Sequence, residues 1–309
     1  MSKRTSFQNV IPFIRIVFAA GLLQFISCSS NFGGEKNLII HSDDFGLSRS
    51  HNLATINAMR EGVVTSASLM VPCSWRDDAL NLWKENDDLD FGIHLTFTSE
   101  WTNYRWGGVS PDSLISSLLD KDGFMYPTCG EFLENADIDE IEIEIRAQIE
   151  YVLEKGLRPS HLDAHMSCLY RGSPELIVLY LSLAEEYGIT GMLTKQYFKK
   201  IDSKKYLSGL NISKIGLVDN LLIADENLYD KVGMYEMYDK YLQKVKPGLN
   251  VLLIHTAYDN EEMKAMTEGF EYWASRWREE DLKYFTQEST KQKINDLNIK
   301  LVDWNGIVY

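Results

Sequence analysis

Short apolar runs alternate with amphipathic stretches from residue 37 to the end of the chain. The apolar runs are rich in β-prone residues and end at glycine, aspartate or histidine, a pattern typical of strands. The predicted strands are Asn37–Ser42, Val63–Val71, Leu89–Phe97, His161–His165, Ile189–Thr194, Leu217–Ile223, Leu249–His255 and Ile299–Trp304. The stretches between them favour helices, such as Ser50–Glu61 and Asp139–Lys155.

The second of these helices shows the pattern most clearly. An apolar face recurs at Ile141, Ile145, Ile149 and Val152, and we expect the glutamates at 140, 142, 144 and 150 to form a solvated outer face. Helices that alternate with strands indicate a mostly parallel sheet covered by helices. Eight strands over this length favour an α/β fold of the TIM-like (β/α) barrel type, regular or irregular, closed or nearly closed.

Acidic and histidine side chains follow several of the predicted strands. In β/α barrels the carboxyl ends of the strands meet at one rim, where chemistry takes place. The residues at these ends are Asp43, Asp44, His94, His165 and His255. Two adjacent carboxylates also need a metal, a shared proton or a cation nearby. The sequence therefore predicts a divalent metal site at this rim.

Each of these residues also has a structural alternative. The aspartate pair would serve equally well as a helix N-cap, and a single histidine after an apolar run is often a buried core residue. His161 and His165 lie four apart, so both would face the same side of a strand with Asp163 between them. The coincidence of so many such residues at strand ends, in a chain with only 6 histidines, favours the metal site.

The composition and net charge limit the kinds of molecule that the protein is expected to bind. The chain has 309 residues, of which 45% are hydrophobic and 25% are charged, so it can bury a sizeable core. Its formal net charge of −14 repels phosphate backbones, which excludes nucleic acid as a favoured partner. A neutral sugar meets no such repulsion. Composition leaves the oligomeric state open.

The N-terminus has the features of an export signal. Lys3, Arg4 and Arg15 precede a short apolar run at 16–23, and Cys28 follows shortly after it. This arrangement resembles a bacterial lipoprotein signal in which Cys28 is lipidated, and an uncleaved anchor or plain secretion are the alternatives. We therefore expect a signal at 1–28, a tether at 29–36 and one barrel domain at 37–309. The location would be the bacterial cell envelope, in the periplasm or at the outer membrane, with membrane contact only through the lipid.

The remaining cysteines are Cys73, Cys129 and Cys168. An odd number with no C-x-x-C pair argues against a disulfide framework and against a cysteine zinc site. We expect small, buried or half-buried thiols, with Cys168 close to the site.

Three segments carry a family resemblance. They are His41-Ser42-Asp43-Asp44-Phe45-Gly46, Gly92-Ile93-His94-Leu95 and Pro159-Ser160-His161-Leu162-Asp163-Ala164-His165. In order and spacing they resemble the signature segments of the YdjC-like carbohydrate deacetylases, which include chitooligosaccharide deacetylases. The resemblance runs from about Leu38 to the C-terminus and implies a β/α barrel.

The resemblance also implies roles for individual residues. Asp44, His94 and His165 would be the metal ligands, Asp43 the catalytic base, and His255 would match the late histidine of the family, which we predict to be the general acid. The chain departs from the family at two places. It has Asp163-Ala164-His165-Met166-Ser167 where Asp-Ser-His-Gln-His is usual, and His255-Thr256-Ala257-Tyr258 where His-Pro-Gly is usual.

Further residues are predicted to support the site. Asp163 would orient a ligand imidazole, and His161 would do the same or touch substrate. An aromatic-rich loop carries Trp101, Tyr104, Arg105 and Trp106, which would either bind sugar or pack over the barrel mouth. Trp273 and Trp277, four apart on a predicted helix, would belong to the core.

The predicted reaction is the hydrolysis of an N-acetyl group on an amino sugar or oligosaccharide, with one divalent ion as cofactor. The family resemblance favours Mg²⁺, whereas two imidazoles and one carboxylate favour Zn²⁺ or another transition metal. Two alternatives remain. One is a metal-dependent phosphoesterase or other hydrolase on the same rim, and the other is a non-catalytic glycan-binding lipoprotein.

Overall fold

A computed structural model describes residues 34–199, 201 and 214–307. The strands are β1 (Lys36–Phe45), β2 (Ser66–Leu69), β3 (Phe91–Leu95), β4 (His161–Ala164), β5 (Thr190–Thr194), β6 (Ile215–Val218), β7 (Asn220–Ile223), β8 (Gly248–Ile254) and β9 (Ile299–Leu301). The α-helices of the described residues are α1 (Arg49–Glu61), α2 (Arg76–Glu85), α3 (Cys129–Asn135), α4 (Ile138–Glu154), α5 (Cys168–Arg171), α6 (Pro174–Glu186), α7 (Lys195–Phe198), α8 (Glu226–Gln243), α9 (Glu261–Met266), α10 (Ser275–Thr286) and α11 (Glu288–Asp296).

The nine strands of the described residues belong to one sheet. The order is β6-β5-β4-β3-β2-β1-β8-β7, β9 pairs with β1 beside it, and each pairing is parallel. Parallel strands in this order place their carboxyl ends at a common rim, and the helices cover the outside. The predicted TIM-like α/β barrel is confirmed.

The barrel is closed by a single stretch of chain that the sequence predicted as one strand. The structure divides that stretch at Asp219 into β6, which pairs with β5, and β7, which pairs with β8. Asp219 makes the crossing possible because its backbone N–H donates to the Leu249 carbonyl oxygen and its Oδ2 accepts from the Leu249 N–H, both at 2.9 Å. Lys195 pairs with the other carboxylate oxygen.

Helix α4 confirms the predicted apolar face and corrects the predicted polar face. Ile141, Ile145, Ile149 and Val152 are all buried against the sheet. Glu144, however, is fully buried rather than solvated, because its carboxylate accepts the backbone N–H groups of residues 109 and 110 at 2.9 and 3.0 Å. A buried carboxylate that caps a loop in this way cannot be distinguished from a surface glutamate by periodicity.

The predicted signal at 1–28, with Cys28, lies outside the described residues, as do positions 29–33 of the predicted tether. Within the described part of the chain, none of the helices combines the length and the apolar character that a membrane span requires.

Candidate active site

The predicted metal ligands come from three different places on the barrel rim. Asp44 lies near the end of β1 and His94 near the end of β3, while His165 is the first residue after β4. Their donor atoms converge: His94 Nε2 is 3.6 Å and His165 Nδ1 is 3.4 Å from Asp44 Oδ1, and the two ring nitrogens are 3.2 Å apart. Ligands about 2.1 Å from one ion are separated by about 3.0–3.4 Å, so these spacings suit a shared ion.

One of the three donor atoms also lacks any other partner. Asp44 Oδ1 is buried and accepts no hydrogen bond. A buried carboxylate oxygen without a partner costs free energy unless a cation faces it. Together with two imidazole nitrogens aimed at the same point, this oxygen fits a divalent metal ion.

The backbone at Asp44 explains how two consecutive carboxylates reach one pocket. In a regular strand neighbouring side chains point to opposite faces. Asp44 instead has φ 66°, in the left-handed region, and the β1–β2 register shifts between Ser42 and Phe45. Gly46 follows with φ 96°, where a Cβ would come within 2.7 Å of Leu69 Cδ1. This kink turns Asp43 and Asp44 toward the same pocket.

Each ligand histidine is oriented by a carboxylate on its far side. His94 Nδ1 donates to Asp163 Oδ1 at 2.8 Å, which leaves Nε2 free to face the ion. His165 Nε2 donates to Glu100 Oε2 at 3.1 Å, which leaves Nδ1 free. Such carboxylates fix the tautomer and the ring direction of a metal ligand. Asp163 thus lies where the sequence predicted, whereas no sequence pattern pointed to Glu100.

Arg278 on α10 is the main cation of the site and was missed by the sequence analysis. Its Nη2 pairs with Asp44 Oδ2 at 2.9 Å, its Nε donates to the Trp273 carbonyl oxygen, and its guanidinium lies over the Trp101 ring. His51 Nδ1 accepts from Nη1 at 3.3 Å. Arg278 is only 3% exposed. It holds one oxygen of Asp44 and leaves the other free for the ion.

These contacts keep Asp44 ionised. Burial by itself would raise the pKa of Asp44, but Arg278 and then His255 and His165 outweigh it and hold the pKa well below its usual value. For His165 itself, burial would lower the pKa, but the Glu100 and Asp44 carboxylates raise it to about 10. Without a metal His165 is therefore protonated at neutral pH, and an ion must displace that proton.

Asp43, the predicted base, lies close to His41, the histidine of the same sequence segment. His41 Nε2 lies 3.2 Å from Asp43 Oδ1 and 3.0 Å from Asp163 Oδ2, and its Nδ1 is 3.0 Å from Ser66 Oγ. Burial would lower the pKa of His41, but hydrogen bonds to Asp163 and Asp43 outweigh it and raise the pKa to about 10. His41 is thus an imidazolium between two carboxylates. His41 lies in the first signature segment of the sequence analysis, but no role was predicted for it.

His255 follows β8 and faces both aspartates. Its Nε2 is 3.8 Å from Asp43 Oδ2 and 4.0 Å from Asp44 Oδ2. Its ring packs edge-on against Trp273, with 5.2 Å between the ring centroids. Burial lowers the pKa of His255 to about 4, although Asp44 opposes the shift. At neutral pH it is uncharged, and it can protonate a leaving group only after it has received a proton.

A pocket of about 580 Å³ opens above these groups. Four aromatic side chains lie in its wall: Trp101, Phe270, Tyr272 and Trp273. Trp273 was predicted to be core, which is wrong: it lines the pocket, and its Nε1 donates to Glu226 Oε1 at 2.8 Å. Trp277 is buried, as predicted.

Of the predicted aromatic loop, only Trp101 lines the pocket. Tyr104 Oη accepts from the Ser74 N–H, Arg105 pairs with Asp120, and Trp106 Nε1 donates to the Thr98 carbonyl oxygen. Loop packing, the second of the two alternatives, therefore describes residues 104–106, and none of them is placed to touch a ligand in the pocket.

His161 lies beneath the site and not in the pocket. It is fully buried, its ring stacks on Trp304 with 5.1 Å between centroids, and its Nδ1 contacts Ser160 Oγ at 2.8 Å. A Cβ at position 92 would come within 2.4 Å of His161 Cε1, so Gly92 makes room for the ring. His161 does not line the pocket, and its ring lies edge-on to His41 with 5.0 Å between the ring centroids.

The cysteine prediction is also wrong in part. Cys129 at the start of α3 and Cys168 at the start of α5 form a disulfide across 39 residues of sequence. Cys73 is a buried free thiol, as expected. The odd number of cysteines argued against a disulfide, but Cys73 stays a free thiol and the other two cysteines form the bond.

The comparisons agree with this geometry. A family model described as YdjC-like protein matches residues 37–296. The chain belongs to the YdjC-like family. It is 32% identical over 270 residues to a carbohydrate deacetylase of Brevibacillus brevis, a match that covers 87% of this chain and 99% of that protein.

Two further matches extend the comparison. A carbohydrate deacetylase of Thermoanaerobacter pseudethanolicus is 27% identical over 272 residues, which covers 87% of this chain and 98% of that one. A crystal structure from Enterococcus faecalis V583, described as a cellobiose-phosphate cleavage protein, superposes with a TM-score of 0.73 at 23% identity, over 89% of this chain and all of that one. It shows that the fold is shared.

Proposed function

We propose that this protein is a metal-dependent carbohydrate deacetylase that hydrolyses the N-acetyl group of an amino sugar or oligosaccharide. The observation that carries the proposal is the convergence of Asp44 Oδ1 and two imidazole nitrogens, beside a second carboxylate, at the floor of an aromatic pocket. Membership of the YdjC-like family and the deacetylase names of its curated relatives support the same activity.

In this mechanism Asp44, His94 and His165 would hold the ion. A divalent ion in this site would supply Lewis acidity to a water and to the acetyl carbonyl. Ligand softness favours zinc or another transition ion, and the family resemblance favours magnesium. The ion is therefore to be identified by elemental analysis of the purified protein.

The protein's own groups move the protons. Asp43, held by His41 at 3.2 Å, accepts the proton of the attacking water. Its other oxygen lies 3.8 Å from His255 Nε2, longer than a hydrogen bond, so the proton would pass to this neutral imidazole through one bridging water and then to the departing amine. This route gives His255, which is neutral at rest, the second proton that it then donates to the amine. The aromatic wall packs against the apolar faces of the sugar rings.

The test is acetate release from a panel of N-acetylated oligosaccharides, with phosphate esters assayed alongside. Metal-stripped protein should release no acetate until a divalent ion is added, and Asp43→Asn should keep the ion but lose turnover. Acetate release that a chelator does not reduce would contradict the proposal. Phosphate release in place of acetate would favour the phosphoesterase alternative, and oligosaccharide binding without any turnover would favour the non-catalytic one.

We further propose that residues 37–309 form one catalytic domain that is exported and held at the cell envelope by lipid on Cys28. The basic start, the apolar run and the following cysteine support this. The Cys129–Cys168 disulfide is a second support, because such bonds persist in oxidising compartments. Cys28→Ser should move the protein from the membrane fraction to the soluble fraction. An unchanged distribution would contradict the lipid anchor.

A further inference from the structure

We infer that the Cys129–Cys168 disulfide positions a metal ligand: it holds the turn that presents His165 to the ion. The inference rests on the metal site of the proposed function. It assigns to the cross-link a role in metal binding that is separate from its contribution to overall stability.

The turn that carries His165 has an unfavourable backbone. Directly after the histidine, Met166 has φ 51° and Ser167 has φ 59°, so two successive residues other than glycine are left-handed. Residues other than glycine rarely adopt left-handed backbone angles, and they keep them only where neighbouring structure enforces them. The next residue is Cys168, which begins α5.

The noncovalent contacts of the turn are few: Thr98 Oγ1 lies 3.5 Å from Met166 Sδ, and the Cys168 N–H donates to the His165 carbonyl oxygen. The side chain of Met166 is 42% exposed, and Ser167 at the N-cap of α5 makes no capping hydrogen bond with its side chain. Helix α5 itself has only 4 residues. The disulfide adds a covalent constraint to this segment three residues after His165.

The other end of the bond is well fixed. Cys129 begins α3, whose N-cap Thr128 accepts the Glu131 N–H at 3.2 Å. On the same helix Phe132 is fully buried and stacks on Phe97, with 5.1 Å between ring centroids. The disulfide thus ties a strained turn to a helix that is packed into the core.

His165 needs such a tie more than the other two ligands do. His94 is paired with β4 in the sheet and Asp44 is held by Arg278 at 2.9 Å, whereas His165 follows the last residue of β4. Its Nδ1 must remain within 3.2 Å of His94 Nε2 and 3.4 Å of Asp44 Oδ1 to share an ion. A turn free to relax toward ordinary backbone angles would move the ring away from that point.

The test is metal affinity, measured by calorimetry on the metal-stripped full chain at a temperature where all variants are folded by circular dichroism. The double variant Cys129→Ser/Cys168→Ser should bind the ion about 10- to 100-fold more weakly, the range found when support of a ligand is lost. Cys73→Ser, which removes the buried free thiol, is the matched control and should bind as the wild type does.

A rescue variant separates positioning from general stability. Ser167→Gly removes the side chain that disfavours the left-handed angle. Added to the double variant it should recover much of the metal affinity, and in the disulfide-bonded protein it should change the affinity little. A purely structural cross-link would predict a lower melting temperature of the double variant with unchanged metal affinity, and that result would overturn the inference.

If the double variant does not fold, metal-loaded wild-type protein is compared before and after reduction with a phosphine. The phosphine is oxidised to its oxide with the oxygen of one water, while two electrons and two protons convert the disulfide into two thiols. Reduced protein should lose its ion faster to a chelator, and equal rates would overturn the inference. A wild-type protein that binds no divalent ion at all would overturn both this inference and the proposed function.

Discussion

Replacement of Asp163 by asparagine tests whether the proton position on a ligand histidine controls metal binding. Asp163 Oδ1 accepts from His94 Nδ1 at 2.8 Å, and its Oδ2 accepts from Ser68 Oγ at 3.1 Å and lies 3.0 Å from His41 Nε2. Asparagine offers one oxygen and one NH₂ group to these two ring nitrogens. Because hydrogen bonds to a charged donor are the stronger ones, we expect the amide oxygen to face the His41 imidazolium and the NH₂ group to face His94.

An NH₂ group beside His94 Nδ1 requires that nitrogen to act as an acceptor. The ring proton then moves to Nε2, the atom that faces the ion, and binding requires the tautomer to be reversed. Loss of such a carboxylate typically weakens metal affinity about 10- to 100-fold, which corresponds to about 1.4–2.7 kcal/mol. Calorimetric titration of the metal-stripped protein measures this directly, and ¹⁵N spectra of the histidine rings report the tautomer.

The matched control is Asp88→Asn, which makes the same change in charge and volume at an exposed position paired with Arg60. It should bind the ion as the wild type does. Wild-type metal affinity in Asp163→Asn, in a folded protein, would refute the argument that this carboxylate fixes the tautomer of His94.

Four further outcomes are expected. Arg278→Met leaves Asp44 Oδ2 buried without its cation, and urea unfolding of the metal-free protein should show a loss of about 3–5 kcal/mol. The pKa of His41 is raised from 6.5 to about 10, so the protonated ring stabilises the fold fully below pH 6.5 and loses this effect as pH rises toward 10. The free energy of unfolding should therefore fall with pH in that window by up to about 1.4 kcal/mol per pH unit. His41→Gln should remove this dependence. Trp273→Ala should raise KM about 2- to 10-fold with little change in kcat, as expected for lost ring stacking. His255→Ala should slow cleavage of an amide far more than that of an activated ester, and equal losses would indicate a positional role.

The strands and the three candidate ligands could be predicted because their signals are local. Each apolar run that was predicted as a strand overlaps a strand of the sheet, and the parallel order brings Asp44, His94 and His165 to one rim. The division at Asp219 could not be predicted, because it depends on hydrogen bonds to Leu249, which lies on another strand.

The rest of the site depends on contacts between distant segments. Arg278 comes from the outer helix α10 and Glu100 from a loop, and neither lies in a run that marks it. Trp273 looked like a core residue because its spacing to Trp277 suits a helix, but α10 begins only at Ser275. The Cys129–Cys168 pair was obscured by a third cysteine, and sequence counting cannot tell which thiol stays free.

The crossing at Asp219 has a consequence for solubility. A sheet that ends in an unpaired strand exposes a row of amide and carbonyl groups to which another chain can add. Here the stretch from Ile215 to Ile223 occupies both ends of the strand order. Its first half, β6, pairs with β5, and its second half, β7, pairs with β8. Within the described part of the chain, one short segment thus covers the free edges of both β5 and β8, and a proline at a paired position of either half would weaken the pairing on that side.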